Sequence, residues 1–268
     1  MHMSYKNFCL LALVWLSCMS LLAQDKEARN RLAAAHAQYY TPTASGLKSF
    51  HCDVSIDWKA MLSRFSGTEV SDDNPALTLL QTVHLAINDN LRGNGELEWT
   101  STAEPPADRK SSMQQIQDGL QTTISGFFQS WNAYMNGTMI PLPDSTVTVT
   151  SSGDGVHLSG TSKDTTFDED YDKNMLLTKV LVASPNLTVL AKPTYTSTED
   201  GLLVSSVTSQ IHQPPTAPET EATFRIEYSK VDSYQIPSHI VIDIKNTGII
   251  EFRLNSCTVT AADWTKRN

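Results

Sequence analysis

Five consecutive residues, Asp168-Glu169-Asp170-Tyr171-Asp172, gather the densest metal-ligating chemistry of this 268-residue chain. Asp168, Asp170 and Asp172 stand at the first, third and fifth positions of a helix-loop-helix calcium loop, where carboxylate oxygens are wanted. The same loop needs a glycine at its sixth position and a bidentate glutamate at its twelfth, and Lys173 and Lys179 stand there instead. The run is therefore expected to be a solvated strand end and turn, with no metal. His36, His51, His84, His157, His212 and His239 are each alone in sequence, without the spacing of a zinc-ligand pair. His51, His84 and His239 alternate with the apolar residues of their segments, which predicts an exposed strand face for them.

Nucleophilic hydrolysis asks for a serine on a strained G-x-S-x-G turn or a cysteine beside a histidine base, and neither pattern is present. Glu96 and Glu98 share one strand face and read as the solvated side of a hairpin. Gly93-Asn94-Gly95 and Gly153-Asp154-Gly155 lack the following helix start that would cradle a phosphate. Asn136-Gly137-Thr138 and Asn186-Leu187-Thr188 fit the glycosylation acceptor pattern, read here as chance beside a bacterial type of export signal. The expectation is a protein that is not an enzyme and uses no cofactor.

Lys6 followed by the apolar run Phe8 to Leu22 and by Ala23 reads as a secretory signal, residues 1–23, removed after Ala23. A lipoprotein signal ending before Cys18 is the other processing route, with Trp15 where an aliphatic residue is wanted. The chain is thus expected in the bacterial periplasm or associated with the outer membrane, the alternative being extracellular. It would be peripheral to the membrane at most, because no later stretch is apolar enough to span one. Its formal net charge of -9 repels nucleic-acid backbones.

Cys52 and Cys257 are the cysteines that outlast the signal, and in an oxidising compartment two thiols often pair. Cys52 shares parity with Val54, Ile56 and Trp58, whereas Cys257 has the parity opposite to Phe252 and Leu254. A bond between them needs a bulge or twist near the end of the last strand; two buried free thiols are the alternative.

These residues must be carried by a mainly β scaffold. Lys26 to Tyr39 predicts a short N-terminal helix with Leu32, Ala35 and Tyr39 on one face. Cys52, Val54, Ile56 and Trp58 alternate with polar residues as a half-buried strand, and Lys59 to Asn74 fits no single pattern. Thr78 to Asn88, through Val83, Leu85 and Ile87, should form a hairpin with Glu96 to Thr100. After Pro105-Pro106, Asp108 can cap a long amphipathic helix ending at Asn136. Its apolar stripe runs through Met113, Ile116, Leu120, Ile124, Phe127, Phe128, Trp131 and Met135.

From Ser145 to Thr260 nearly everything alternates as strand and turn, a rhythm that predicts a meander of antiparallel neighbours. About ten strands need to curl or split. The expected fold is α+β, mainly β: a single curved antiparallel sheet or open half-barrel wrapped around one long amphipathic helix. It would form one domain over residues 24–262, before a tail at 263–268.

Met175-Leu176-Leu177-Thr178-Lys179-Val180, Leu187-Thr188-Val189-Leu190-Ala191-Lys192-Pro193 and Gly201-Leu202-Leu203-Val204 lead to Val231-Asp232-Ser233-Tyr234-Gln235-Ile236-Pro237 and an alternating strand. This phrase resembles the strand pair of the LolA/LolB-like lipoprotein-carrier superfamily. The resemblance implies an open half-barrel with helices in its concave face and a cavity for lipid or lipoprotein acyl chains. Val54, Ile56, Trp58, Val83, Leu85, Ile87, Leu120, Ile124, Phe127, Phe128 and Trp131 would then be the apolar, ligand-binding lining. Alternatively the helix fills the cavity, and the chain is an envelope scaffold or sensor that engages another protein.

Overall fold

A computed structural model of the chain describes residues 26–93, 95–135, 147–213 and 219–262. The export segment with Cys18, the glycosylation pattern at Asn136, the Pro-rich run 214–218 and the tail 263–268 lie outside the described residues.

The chain is mainly β: among the described residues twelve strands form one open antiparallel sheet, with four helices. The strands are β1 (Leu47–Ile56), β2 (Val83–Asp89), β3 (Glu96–Ser101), β4 (Val147–Ser152), β5 (Gly155–Ser162), β6 (Thr165–Tyr171), β7 (Leu177–Ser184), β8 (Leu187–Thr198), β9 (Gly201–His212), β10 (Thr220–Val231), β11 (Tyr234–Ile244) and β12 (Gly248–Ala261). Their order is β3-β2-β1-β12-β11-β10-β9-β8-β7-β6-β5-β4, so the second half of the chain is an uninterrupted meander. The helices are α1 (residues 26–36), α2 (Trp58–Ser66), α3 (Pro75–Leu80) and α4 (Lys110–Met135).

Two compact units make up the described chain. The smaller takes residues 26–38, 147–192 and 212–213; the larger takes 39–93, 95–135, 193–211 and 219–262. In the smaller unit, α1 buries Ala28, Leu32 and Ala35, one per helical turn on one face. Arg29 and Arg31 donate to the carbonyls of Val147 and Asp154, at 3.0 and 2.6 Å, tying the helix to β4 and the turn after it.

In the larger unit three expectations change. Trp58 does not extend β1: the Asp57 side chain accepts from the Ala60 N–H at 2.9 Å and starts α2 there. Thr78 to Leu80 belongs to α3, because Asn74 caps the N–H groups of Ala76 and Leu77 and Pro75 fixes the first helical φ. Asp108 is not the cap of α4. A turn in which the Pro106 carbonyl accepts from Arg109 and Lys110 leads into that helix instead.

The parity conflict between Cys52 and Cys257 is resolved by a bulge. His51 pairs with Thr258 but Asp53 pairs with Asn255, so Ser256 and Cys257 together face Cys52. Ser256 adopts φ 49, and past it the inward parity of β12 switches, turning Cys257 toward Cys52. The two sulfurs are bonded across a Cα–Cα distance of 4.1 Å, at a sequence separation of 205. Closing so long a loop stabilises by about 5 kcal/mol in the chain-entropy description. Denaturant unfolding with and without reductant should show a loss of several kcal/mol on reduction, reproduced by Cys52→Ser with Cys257→Ser. Equal midpoints would show that the bond contributes nothing.

Candidate binding site

The apolar surface expected to hold a ligand lies wholly in the larger unit, and α4 occupies it. Leu120, Ile124, Phe127, Phe128 and Trp131 are each at most 3% exposed. They meet sheet residues of even parity: Phe50 on β1, Phe224 on β10 and Phe252 on β12. Phe127 lies edge-on to Phe128, Phe224 and Phe252, with ring centroids at 5.0, 5.9 and 6.0 Å, and Phe50 packs on Phe128 and Trp131 at 5.9 and 6.0 Å. Such tilted contacts place positive ring edges on negative faces.

The rest of the expected lining divides. Val54, Leu85 and Ile87 are buried on the same sheet face. Ile56 and Val83 are half-buried, and Trp58 packs against Trp99 at 6.2 Å, outside the α4 cluster. Gly95 shows how tight the fit is: a Cβ there would stand 2.9 Å from Ile87 Cδ1 and 3.0 Å from Phe128 Cβ. Only glycine lets the chain entering β3 pass so close to the helix. Gly119 and Gly126, by contrast, have nothing near them and allow no close approach.

Polar side chains on the inner side of α4 lock this packing. Ser125 Oγ donates to the Gly95 carbonyl at 2.7 Å. Trp131 Nε1 donates to the Tyr228 hydroxyl at 3.0 Å, which in turn donates to the Val204 carbonyl at 2.7 Å; burial raises the Tyr228 pKa well above its ordinary value. Asn132 Nδ2 donates to both carboxyl oxygens of Asp89, at 3.0 Å each, and to the Gly93 carbonyl at 2.8 Å. Asp89 also accepts from the Leu91 N–H at 2.6 Å, yet it is 1% exposed, and burial pushes its pKa up to about 6.

The acidic run in the smaller unit lies in strand β6 and the turn after it, not between two helices, and its neighbouring carboxylates alternate between the two strand faces. Glu169 turns inward, accepts from the Tyr171 hydroxyl at 2.6 Å, and is pushed up to about 7 by burial. Asp168 and Asp170 turn outward onto His157, at 3.4 and 2.7 Å, and Lys179 adds a contact to Asp170 at 3.2 Å. The His157 hydrogen bond, ahead of Lys179, holds the Asp170 carboxyl below its usual range. Asp172 accepts from the N–H groups of Asn174 and Leu176 and closes the turn.

His239 is held the same way between Glu227 at 3.3 Å and Glu251 at 3.0 Å, and is half-buried rather than open. Arg64, with His239 second, lowers the Glu251 pKa. Among the described residues no group of three or more His, Cys, Asp or Glu side chains is arranged to hold a metal ion. No helix among them is long and apolar enough to cross a membrane.

Comparison with protein-family models, with curated proteins and with solved structures finds no match. The chemistry of the site rests on its own geometry. Sequence reasoning missed Asp89 and Asn132 and placed Glu169 in a solvated run, although each shares the spacing of buried neighbours: Asp89 with Leu85 and Ile87, Asn132 with Phe128, and Glu169 with Tyr171.

Asp89 and Glu169 both titrate higher in the folded chain than when unfolded. Between about pH 4 and 7 the folded state therefore binds more protons, and stability falls as pH rises, by roughly 3 kcal/mol for each group. Asp170 and Glu251 act in the opposite sense, at lower pH. Denaturant unfolding of Glu169→Gln should show a stability gain over the parent protein that grows from pH 4 to pH 7.5. A difference independent of pH would contradict the buried-acid assignment.

Proposed function

We propose that the chain is an exported, non-catalytic binding protein of the cell envelope, built as a half-barrel whose interior is filled by its own helix. It engages a protein partner from its outer surfaces rather than enclosing an acyl chain. The observation that carries this reading is the burial of Leu120, Ile124, Phe127, Phe128 and Trp131 against aromatic residues from three strands. A carrier gains about 0.8 kcal/mol for each acyl methylene it removes from water, and only from apolar surface that is vacant.

Export is supported by the apolar run Phe8 to Leu22 and by the disulfide, a bond that persists in oxidising compartments. The open antiparallel sheet with a long helix against it supports the half-barrel reading. A non-catalytic role is supported by what the buried acids and the strand-face histidines are already bonded to. Asp89 serves the Leu91 N–H and Asn132, Glu169 serves Tyr171, and His157 and His239 each sit between two carboxylates.

Native mass spectrometry of protein purified from its envelope without detergent tests this reading. A bare polypeptide, two hydrogens lighter than its reduced form, is expected, together with stoichiometric recovery of an envelope protein by a tagged copy. A dissociable lipid or acylated peptide would establish the carrier reading instead.

A further inference from the structure

The register of the larger unit brings the start of β1, the end of β2 and the end of β12 to one edge, since Leu47 pairs with Ala261 and Phe50 with Asp89. A hollow of about 560 Å3 lies there, in the size range of small-molecule sites. We infer that this hollow binds an anionic group, a phosphate or carboxylate, held by Lys48 and Arg92.

Charge is the first ground. The hollow is lined by both cations and by no carboxylate, in a chain of net charge -9. Elsewhere in this unit Lys59, Arg64, Lys110 and Lys230 each meet an acid. Lys48 and Arg92 form no ion pair among the described residues. Two unneutralised cations in a concavity focus the field there and attract an anion. The remaining polar lining, Thr43, Ser49, Asn90 and Thr260, offers hydroxyl and amide groups suited to oxygen ligands.

Preorganisation is the second ground. Leu91, beside Arg92, holds φ 62, a left-handed backbone that disfavours a leucine. The strain persists because the loop is fixed on every side. Asp89 takes the Leu91 N–H, Asn90 Oδ1 takes the Arg92 N–H at 3.0 Å, and Asn132 on α4 holds the Gly93 carbonyl. Backbone strain held this firmly is characteristic of ligand clamps. On the opposite wall the Ala262 N–H donates to the Gly46 carbonyl at 2.7 Å, with Gly46 at φ 95. A second hollow of about 320 Å3 shares Ser49, Asn90 and Thr260 and continues past His51 and Asn88; its two carboxylates, Asp89 and Glu96, leave it to an uncharged or cationic part of a ligand, with the anionic group in the first hollow.

The site is separate from the interior under α4, so its loss would leave the reading of a filled interior standing. The test is a 15N–1H NMR titration of the intact oxidised protein with inorganic pyrophosphate and with citrate, and separately with phosphatidylglycerol vesicles against phosphatidylcholine vesicles. Saturable shifts confined to Lys48, Ser49, Asn90, Arg92 and Thr260 are expected. Affinity should fall at least tenfold in Lys48→Met with Arg92→Met, whose positions are exposed and whose spectrum should otherwise match the parent. Binding of the soluble anions alone would assign a free ligand; binding of phosphatidylglycerol vesicles, lost in the double variant, would assign a headgroup. No saturable shift with any probe, or equal binding by the double variant, would overturn the inference.

Discussion

The packing of one helix stripe against one sheet face is the constraint on which the larger unit depends. Phe127, Phe128 and Trp131 each bury on the order of 150–250 Å2 and join β1, early in the sequence, to β10 and β12 near its end. Truncating one such ring costs ~3–5 kcal/mol in well-packed interiors. The other close fits of this unit follow from it. Gly95 is required by the nearness of Ile87 and Phe128, and Ser125, Trp131 and Asn132 reach their partners only with the stripe seated.

Polar groups inside such a layer are stabilising only when their partners are complete. Asn132 and the Leu91 N–H satisfy Asp89, so the buried carboxyl ties the β2–β3 turn to the helix. Its cost appears as a raised pKa rather than as an unpaired charge. Glu169 is held by Tyr171 in the smaller unit in the same manner. On the outer face the charged residues are arranged differently: His157 and His239 are each flanked by carboxylates from neighbouring strands, as cross-strand pairs.

The long periodic elements were legible in the sequence and the short ones were not. The stripe of α4 and the alternation of β8 to β12 run long enough for the period to be unambiguous. Trp58 to Ser66 and Pro75 to Leu80 are short enough to fit either period, and Asp57 and Asn74 decide them through cap bonds. The adjacency of β1 and β12 is a long-range pairing with no local signature except its two cysteines, and the bulge that lets these meet depends on the left-handed backbone of Ser256. The lining residues were identifiable as apolar, but periodicity alone does not tell a vacant concave face from one that a helix fills. The hollow beside Lys48 and Arg92 is assembled from the ends of three segments and has no sequence motif.

A filled interior makes a definite demand on dynamics. If α4 is the core of the larger unit, its central amides open only when the unit unfolds. Native-state hydrogen exchange of Leu120, Ile124, Phe128 and Trp131, measured against Ile240 and Phe252 in the sheet, is the most direct test. Equal opening free energies for helix and sheet, both at the global value, are expected. Exchange of the α4 amides several kcal/mol below that of the sheet would mean that the helix lifts away, and that the interior is an accessible cavity after all.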